Sequence, residues 1–318
     1  GKPVMIRKAQ LFILVIFCTA VCGCGSSVTD SEEMDSPKHM EGMDQLLEGN
    51  TMGYAFSVYP EEERGELRLA SWEEPLNFQV ESAGTQRQFA IYFMCDYRQV
   101  PILIDGVTYD QFYIGVDGNY SGEYSFSLAE EPEPGKVHKL TAVMTAYSDV
   151  LMADQENTPV STLDSLILNF NLSIGDVQEM TSFEKKAADA ELLYDSAGSG
   201  IILNTYTDEL VSKIPEKEVH VRQGEELTIQ YHAGAFEEND FLMFITAGYE
   251  QMKLNGQDYL YFSDLPPKQM AAGYCQMETP EEPGRYEVIG YVIPQPFLES
   301  GLSDQHSSES YRFTLVVE

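Results

Sequence analysis

Two stretches of this chain carry the same succession of apolar runs and turns at a nearly constant offset, and this duplication limits the fold more than any other feature. Leu76-Asn77-Phe78-Gln79-Val80 corresponds to Leu227-Thr228-Ile229-Gln230-Tyr231, and Phe89-Ala90-Ile91-Tyr92-Phe93 corresponds to Phe241-Leu242-Met243-Phe244-Ile245. In each copy a Tyr follows eight residues after the first Phe and a Gln ten after, giving Tyr97 and Gln99 in one and Tyr249 and Gln251 in the other. The turns keep step as well: Asp105-Gly106 matches Asn255-Gly256, and Glu133-Pro134-Gly135-Lys136 matches Glu282-Pro283-Gly284-Arg285. A last apolar run closes each copy, at 166–172 and at 311–317. Correspondences in the same order, with small changes in spacing, predict one domain built twice.

Each copy consists of short runs rich in Val, Ile, Tyr, Phe and Thr, separated by Gly, Pro, Asn and Asp, which is the pattern of antiparallel sheets and lacks any βαβ rhythm. Asp-Gly and Asn-Gly suit tight hairpins that need positive φ, and Pro-Gly suits the centre of a type II turn. With some seven strands in 100–130 residues, each copy resembles an immunoglobulin-like sandwich. The resemblance is architectural, since neither copy has two cysteines at inter-sheet positions and the one Trp, Trp72, precedes the Phe89 strand. It implies an all-β fold of two tandem immunoglobulin-like antiparallel β-sandwich domains, over residues 51–178 and 201–318. Residues 179–200 form the linker: Thr181-Ser182-Phe183-Glu184 offers a capping box ahead of a helix-favouring stretch to Tyr194, and 195–200 reads as a flexible break.

The N-terminus supplies an address. Lys2, Arg7 and Lys8 precede an uncharged run from Leu11 to Val21, which is too short to span a bilayer and has the layout of an export signal. Val21-Cys22-Gly23-Cys24 resembles a bacterial lipobox. The resemblance implies removal of residues 1–23, lipidation of Cys24 and residence at the extracytoplasmic face of the membrane. Residues 24–50 are polar and acidic and predict a disordered tether with an r.m.s. span of about 28 Å.

Charge excludes whole classes of partner. With 52 Asp and Glu against 19 Lys and Arg, the formal net charge is −33, and such a surface repels nucleic-acid phosphates. Motifs for nucleophilic hydrolysis, zinc proteolysis and nucleotide binding are absent, and His220 and His232 lie on predicted strands without a metal-ligand spacing. A pair of carboxylates between the domains would serve a glycan hydrolase, and this remains the alternative to a non-catalytic role. Cys95 and Cys275, one in each copy but at different places in it, read as isolated buried thiols rather than as a bridge.

Two patterns nominate binding residues. Asp117, Asn119 and Ser121 put oxygen side chains at alternate positions ahead of Gly122, resembling the opening of an EF-hand-type calcium loop, although Leu128 stands where that loop requires Glu. No cofactor is expected, calcium at this loop excepted. Tyr109, Tyr113, Tyr259 and Tyr261 are dense at matching places in the two copies, and Tyr offers large contact area at low entropic cost. The chain as a whole reads as a lipid-anchored, non-catalytic binding or scaffolding module of the cell envelope, with the membrane and an envelope protein or glycan as partners.

Overall fold

The computed structural model describes residues 53–63, 65–156, 164–176, 188, 190–195, 200–235, 240–298 and 306–318. The lipobox, Cys24 and the acidic tether lie outside the described residues, as does most of the linker. The first copy contains β1 (Gly53–Tyr59), β2 (Glu61–Glu63), β3 (Glu66–Leu69), β4 (Leu76–Ala83), β5 (Arg87–Cys95), β6 (Arg98–Val100), β7 (Ile102–Ile104), β8 (Val107–Tyr109), β9 (Phe112–Val116), β10 (Tyr120–Leu128), β11 (Val137–Ala146) and β12 (Ser165–Ile174). The second contains β13 (Leu192–Asp195), β14 (Gly200–Asn204), β15 (Glu218–Val221), β16 (Leu227–Gly234), β17 (Phe241–Ala247), β18 (Glu250–Met252), β19 (Leu260–Phe262), β20 (Gln269–Met277), β21 (Gly284–Pro294), β22 (Ser308–Glu309) and β23 (Phe313–Val317).

Each copy is an immunoglobulin-like sandwich. In the first, the sheet β1-β4-β10-β7-β8 packs on the sheet β2-β3-β12-β11-β5-β6, with β9 also paired to β5. In the second, β13-β20-β16-β14 packs on β15-β23-β21-β17-β18, with β19 added to β17 and β22 to β21. The ladders are antiparallel except for β3 with β12 and β15 with β23, which are parallel and occupy the same place in both copies. Inward residues fill one core per sandwich. Phe78 centres the first, with Phe56, Phe93, Phe112, Tyr124 and Phe126 around it, while Tyr231, Phe241 and Phe262 anchor the second.

The tight hairpins form as the sequence implies. Asp105 and Gly106 have φ of 50° and 79°, and Asn255 and Gly256 of 51° and 76°, the left-handed pair that a right-twisted hairpin requires. The Pro-Gly expectation holds only in the first copy, where Gly135 has φ of 78°. Gly284 is instead the first residue of β21, where it pairs with Val317, so extended pairing replaces the expected turn.

The linker boundary also moves. Leu192–Tyr194, placed by sequence at the end of a linker helix, and Asp195, placed in the flexible break, form β13 on the edge of the second sandwich, where Leu192–Asp195 pair with Ala272–Gln269. Ala188 and Ala190 pack on that core, and Glu191 N–H donates to Ala272 O at 3.0 Å. The edge that β7 and β8 supply in the first copy is thus supplied in the second by chain that precedes the domain, while in both copies two short strands pair back onto the central strand, β6 and β9 onto β5 and β18 and β19 onto β17.

Strands β5 and β17 are buried on both faces. Phe89, Ile91 and Phe93 point into the first core and Phe241, Met243 and Ile245 into the second. The alternate residues Ala90, Tyr92 and Met94, with Val143, meet Leu242, Phe244, Ile289, Tyr291 and Ile293 in a third apolar core between the domains. There the Phe244 and Tyr291 rings stack at 4.8 Å. This core predicts that the two domains unfold together. Phe244→Ala, which leaves both sandwich cores intact, is expected to cost about 3–5 kcal/mol and to split a single calorimetric transition into two; an unsplit transition of unchanged midpoint would contradict the docked arrangement.

Candidate functional site

The residues that the sequence duplicates outside the cores converge on the interdomain face and exchange partners across a pseudo-two-fold axis. Gln99 N–H donates to Gln251 Oε1 at 2.8 Å, and Gln251 N–H donates to Gln99 Oε1 at 2.6 Å. Their amides complete the exchange, Gln99 Nε2 donating to Tyr249 O and Gln251 Nε2 to Tyr97 O. The Tyr97 hydroxyl donates to Pro296 O of the second domain, and the Tyr249 hydroxyl to Ser148 O of the first. The two positive-φ turns that carry these tyrosines, at Asp96-Tyr97 and Gly248-Tyr249, explain why the side chains reach sideways into the partner domain.

Opposite charges occupy matching places one turn away. Lys139 on β11 and Glu287 on β21 accept equivalent backbone bonds, from Asp96 N–H and Gly248 N–H. Each then captures the loop of the other domain. Lys139 Nζ donates to Asn171 Oδ1 and Leu298 O, whereas Glu287 Oε1 accepts from Thr314 Oγ1 and from Met152 N–H. Burial pushes the Lys139 ammonium down to about 8, against the pull of Glu66 and Asp96, and burial raises the Glu287 carboxyl. Nearby, Arg312 pairs with Asp164 at 3.2 Å and donates to Ala146 O and Tyr147 O, and Glu309 accepts Ser165 N–H at 2.9 Å.

This contact bears directly on the alternative of a carboxylate pair between the domains. Among the described carboxylates at the junction, Asp164 and Glu287 are buried and Glu309 is partly so, held by hydrogen bonds or an ion pair, whereas the more exposed Asp258 and Asp154 pair with Arg98 and Arg285 of the opposite domain.

The four nominated tyrosines do not form one surface. Tyr113 and Tyr261 occupy matching positions, facing Ala90 and Leu242 across their ladders. Tyr113 meets Tyr249 edge-on at 6.3 Å and keeps 46% of its surface exposed. Tyr261 is 8% exposed, donates to Asp240 Oδ2 and packs on Phe297, and Tyr259 packs on Tyr97 and Phe297. Both second-copy tyrosines therefore belong to the domain junction, which withdraws them from a ligand. Tyr109 packs against Phe112 at the rim of the first core.

The calcium-like pattern meets a similar geometric obstacle. Asp117 and Asn119 are exposed on a crossover between sheets, but the chain becomes strand at Tyr120, with Ser121 paired to Glu81 and Gly122 to Val80. Ser121 is thus carried into the extended β10 while Asp117 and Asn119 stay in the bend before it, an arrangement that departs from the continuous EF-hand loop. His220 lies exposed between Glu218 and Glu318, and His232 is buried against Tyr194 and Gln230, so the two histidines serve separate places.

One cluster was not visible in the sequence. Cys95, Asp96 and His138 bring a thiol, a carboxylate and an imidazole together with all ligating atoms within 4.8 Å of one another. His138 Nδ1 lies 2.6 Å from Asp96 Oδ2, its Nε2 lies 2.8 Å from Glu133 O, and Cys95 Sγ lies 4.0 Å from Asp96 Oδ2. Residues 95 and 138 are distant in sequence, and only the β5–β11 ladder unites them. The group is not arranged as a nucleophile with its base, since both imidazole nitrogens face oxygens and burial together with the Asp96 charge pushes the thiol up. Cys275 is likewise free and buried, on β20 of the other domain.

No protein-family model matches the sequence, and no curated protein matches it significantly. Among solved structures, the chain aligns with the C-terminal domain of the Streptococcus agalactiae AgI/II polypeptide BspA at 9% identity, covering 83% of this chain and 100% of that one, with a TM-score of 0.22. The C-terminal domain of the Streptococcus pyogenes antigen I/II-family protein AspA aligns at 7% identity over 84% and 100%, with a TM-score of 0.24. Red sea bream transglutaminase aligns at 10% identity over 89% of this chain and 34% of that one, with a TM-score of 0.21, so the present chain spans about a third of its length. The class of the protein is defined by its own strand order, that of a two-domain immunoglobulin-like β-sandwich protein.

The buried carboxylate Glu309 carries a pH signature. Its desolvation raises the carboxyl from 4.5 to about 7, so between those values the native state binds a proton that the unfolded chain releases. Stability therefore falls as pH rises through that window, by about 3 kcal/mol in all. Glu309→Gln, which keeps an acceptor for Ser165 N–H, is expected to flatten this fall and to melt higher than the parent at pH 8; equal melting temperatures at pH 8 would exclude Glu309 as the source.

Proposed function

We propose that this protein is a lipid-anchored, non-catalytic binding or scaffolding module on the extracytoplasmic face of a bacterial membrane, recognising a protein or glycan of the envelope. The observation that carries the reading is the docking of two sandwiches into one body through a packed interface, which presents the outer surfaces at fixed separation. Rigid presentation lowers the entropic cost of engaging a ligand. Lipidation of Cys24 and the acidic tether would hold that body at the membrane, and among the described residues no helix is long and apolar enough to cross it.

The surface assigned to ligand contact is the segment from β7 to β9. It carries Leu103, Val107 and Tyr113 at 37%, 51% and 46% exposure, three large apolar side chains within a dozen residues, with Tyr109 half-buried among them. Leu103 pairs with Thr108 and Val107 with Ile104, so Leu103 and Val107 lie on opposite faces of the β7–β8 hairpin, and each such solvent-facing apolar group supplies binding energy when covered.

Two experiments test the proposal. Cys24→Ser should move the protein from the membrane to the soluble fraction, and an unchanged membrane fraction would overturn the anchor. Soluble protein from Ser26 onward should capture a saturable partner from envelope extract. Val107→Lys should weaken that capture about tenfold, equivalent to 1.4 kcal/mol, without altering the melting temperature. Shortening of envelope glycans during the incubation would overturn the non-catalytic reading.

A further inference from the structure

We propose that Cys95, Asp96 and His138 form a binding site for a single zinc-type divalent transition-metal ion, ligated by Cys95 Sγ, Asp96 Oδ2 and His138 Nδ1. Thiolate, imidazole and carboxylate are the donors that such an ion combines, and three protein ligands leave a fourth position for water.

Four features of the site point to a metal. First, the imidazole is held as ligating histidines are: Nε2 is fixed by the Glu133 carbonyl at 2.8 Å, and Nδ1 is left facing the other two donors. Secondly, the three donor atoms already lie within 4.8 Å of one another. Tetrahedral ligands at zinc distances stand about 3.3–3.5 Å apart, and the observed 2.6 Å from His138 Nδ1 to Asp96 Oδ2 and 4.0 Å from Cys95 Sγ to the same oxygen lie on either side of that range. Thirdly, Asp96 keeps 24% of its side chain exposed, which gives an ion a way in, and the exposed Glu133 beside it adds to the negative potential of a strongly acidic chain.

The fourth feature comes from the second copy. Its counterparts to Cys95, Asp96 and His138 are Ala247, Gly248 and Tyr286, on the same strands with the same backbone bond, Gly248 N–H to Glu287 O at 2.9 Å matching Asp96 N–H to Lys139 O at 2.7 Å. There the Tyr286 ring lies over Gly248, so closely that a Cβ at Gly248 would stand 2.8 Å from the ring. The sandwich thus folds with a small-residue and ring filling at this corner. The first copy places a non-glycine residue at a φ of 53° and surrounds it with two further metal-ligating side chains, which the fold itself does not require.

Binding displaces two protons to solvent, one from the Cys95 thiol and one from the His138–Asp96 contact, so apparent affinity rises with pH. The test uses the full chain in detergent, stripped with a chelator and titrated with Co²⁺ and then Zn²⁺. The expected result is one Co²⁺ per chain bound with a thiolate-to-cobalt charge-transfer band, displaced by Zn²⁺. The band should be absent in Cys95→Ser and retained in Cys275→Ser. Asp96→Gly installs the residue that the second copy uses at that φ, so it keeps the fold, and it should weaken binding at least tenfold. No band in the parent protein, a band that survives Cys95→Ser, or an Asp96→Gly protein that binds as tightly as the parent would each overturn the site and reduce the cluster to a hydrogen-bonded ion pair.

Discussion

The architecture depends on the face-to-face contact of β5 and β11 with β17 and β21. A β-sandwich ordinarily leaves the outer face of each sheet to solvent, and its strands alternate accordingly. Here two such faces are apolar and cover one another, so the middle of the molecule holds three stacked cores rather than two. The paired glutamines give this contact its register. Each accepts the backbone N–H of the other and donates to the turn beside it, satisfying groups that burial would otherwise leave at a cost of about 1–3 kcal/mol apiece. Displacing one domain would break all four bonds together.

The pseudo-symmetry resembles the isologous interface of a homodimer, in which one patch meets itself across a two-fold axis. Fusion in one chain allows the two halves to diverge, and they have done so at specific points. Lys139 faces the role of Glu287, so each domain clasps the other's loop with a buried group of opposite sign. The sheet edge formed by β7 and β8 in one copy is completed in the other by β13, drawn from chain between the domains. The corner that Tyr286 fills in the second copy holds Cys95, Asp96 and His138 in the first. Divergence at places where the backbone is unchanged is where a function specific to one copy can reside without disturbing the fold.

Local sequence patterns did not carry the site, because tertiary packing decides which side chains meet. Two tyrosines per copy stood out as a binding surface, yet Tyr259 and Tyr261 are absorbed by the junction, because a strand flanked by a second domain buries the face that would otherwise be exposed. The alternating oxygens from Asp117 to Ser121 looked like a cation loop, and strand pairing from Tyr120 onward draws Ser121 into β10 while Asp117 and Asn119 remain in the bend before it. The Cys95–Asp96–His138 group had no linear signature at all. One signal for the docking was present: the unbroken apolar runs at Phe89–Met94 and Phe241–Ile245 lack the polar alternation of a half-exposed strand.

The amino-acid sequence by itself determined the duplicated all-β plan, the hairpins at Asp105-Gly106 and Asn255-Gly256, and the strongly acidic net charge. These follow from local rules: side-chain period, turn chemistry and the sum of charges. Only the tertiary structure decided that the two sandwiches share a third core, that Leu192–Asp195 is a strand of the second domain, that Asp164 and Glu287 are buried at the junction, and that His138 stands beside Cys95. Each of those depends on contacts between residues tens to hundreds of positions apart, whose register is set by the packing of whole faces and is not carried by any short stretch of chain.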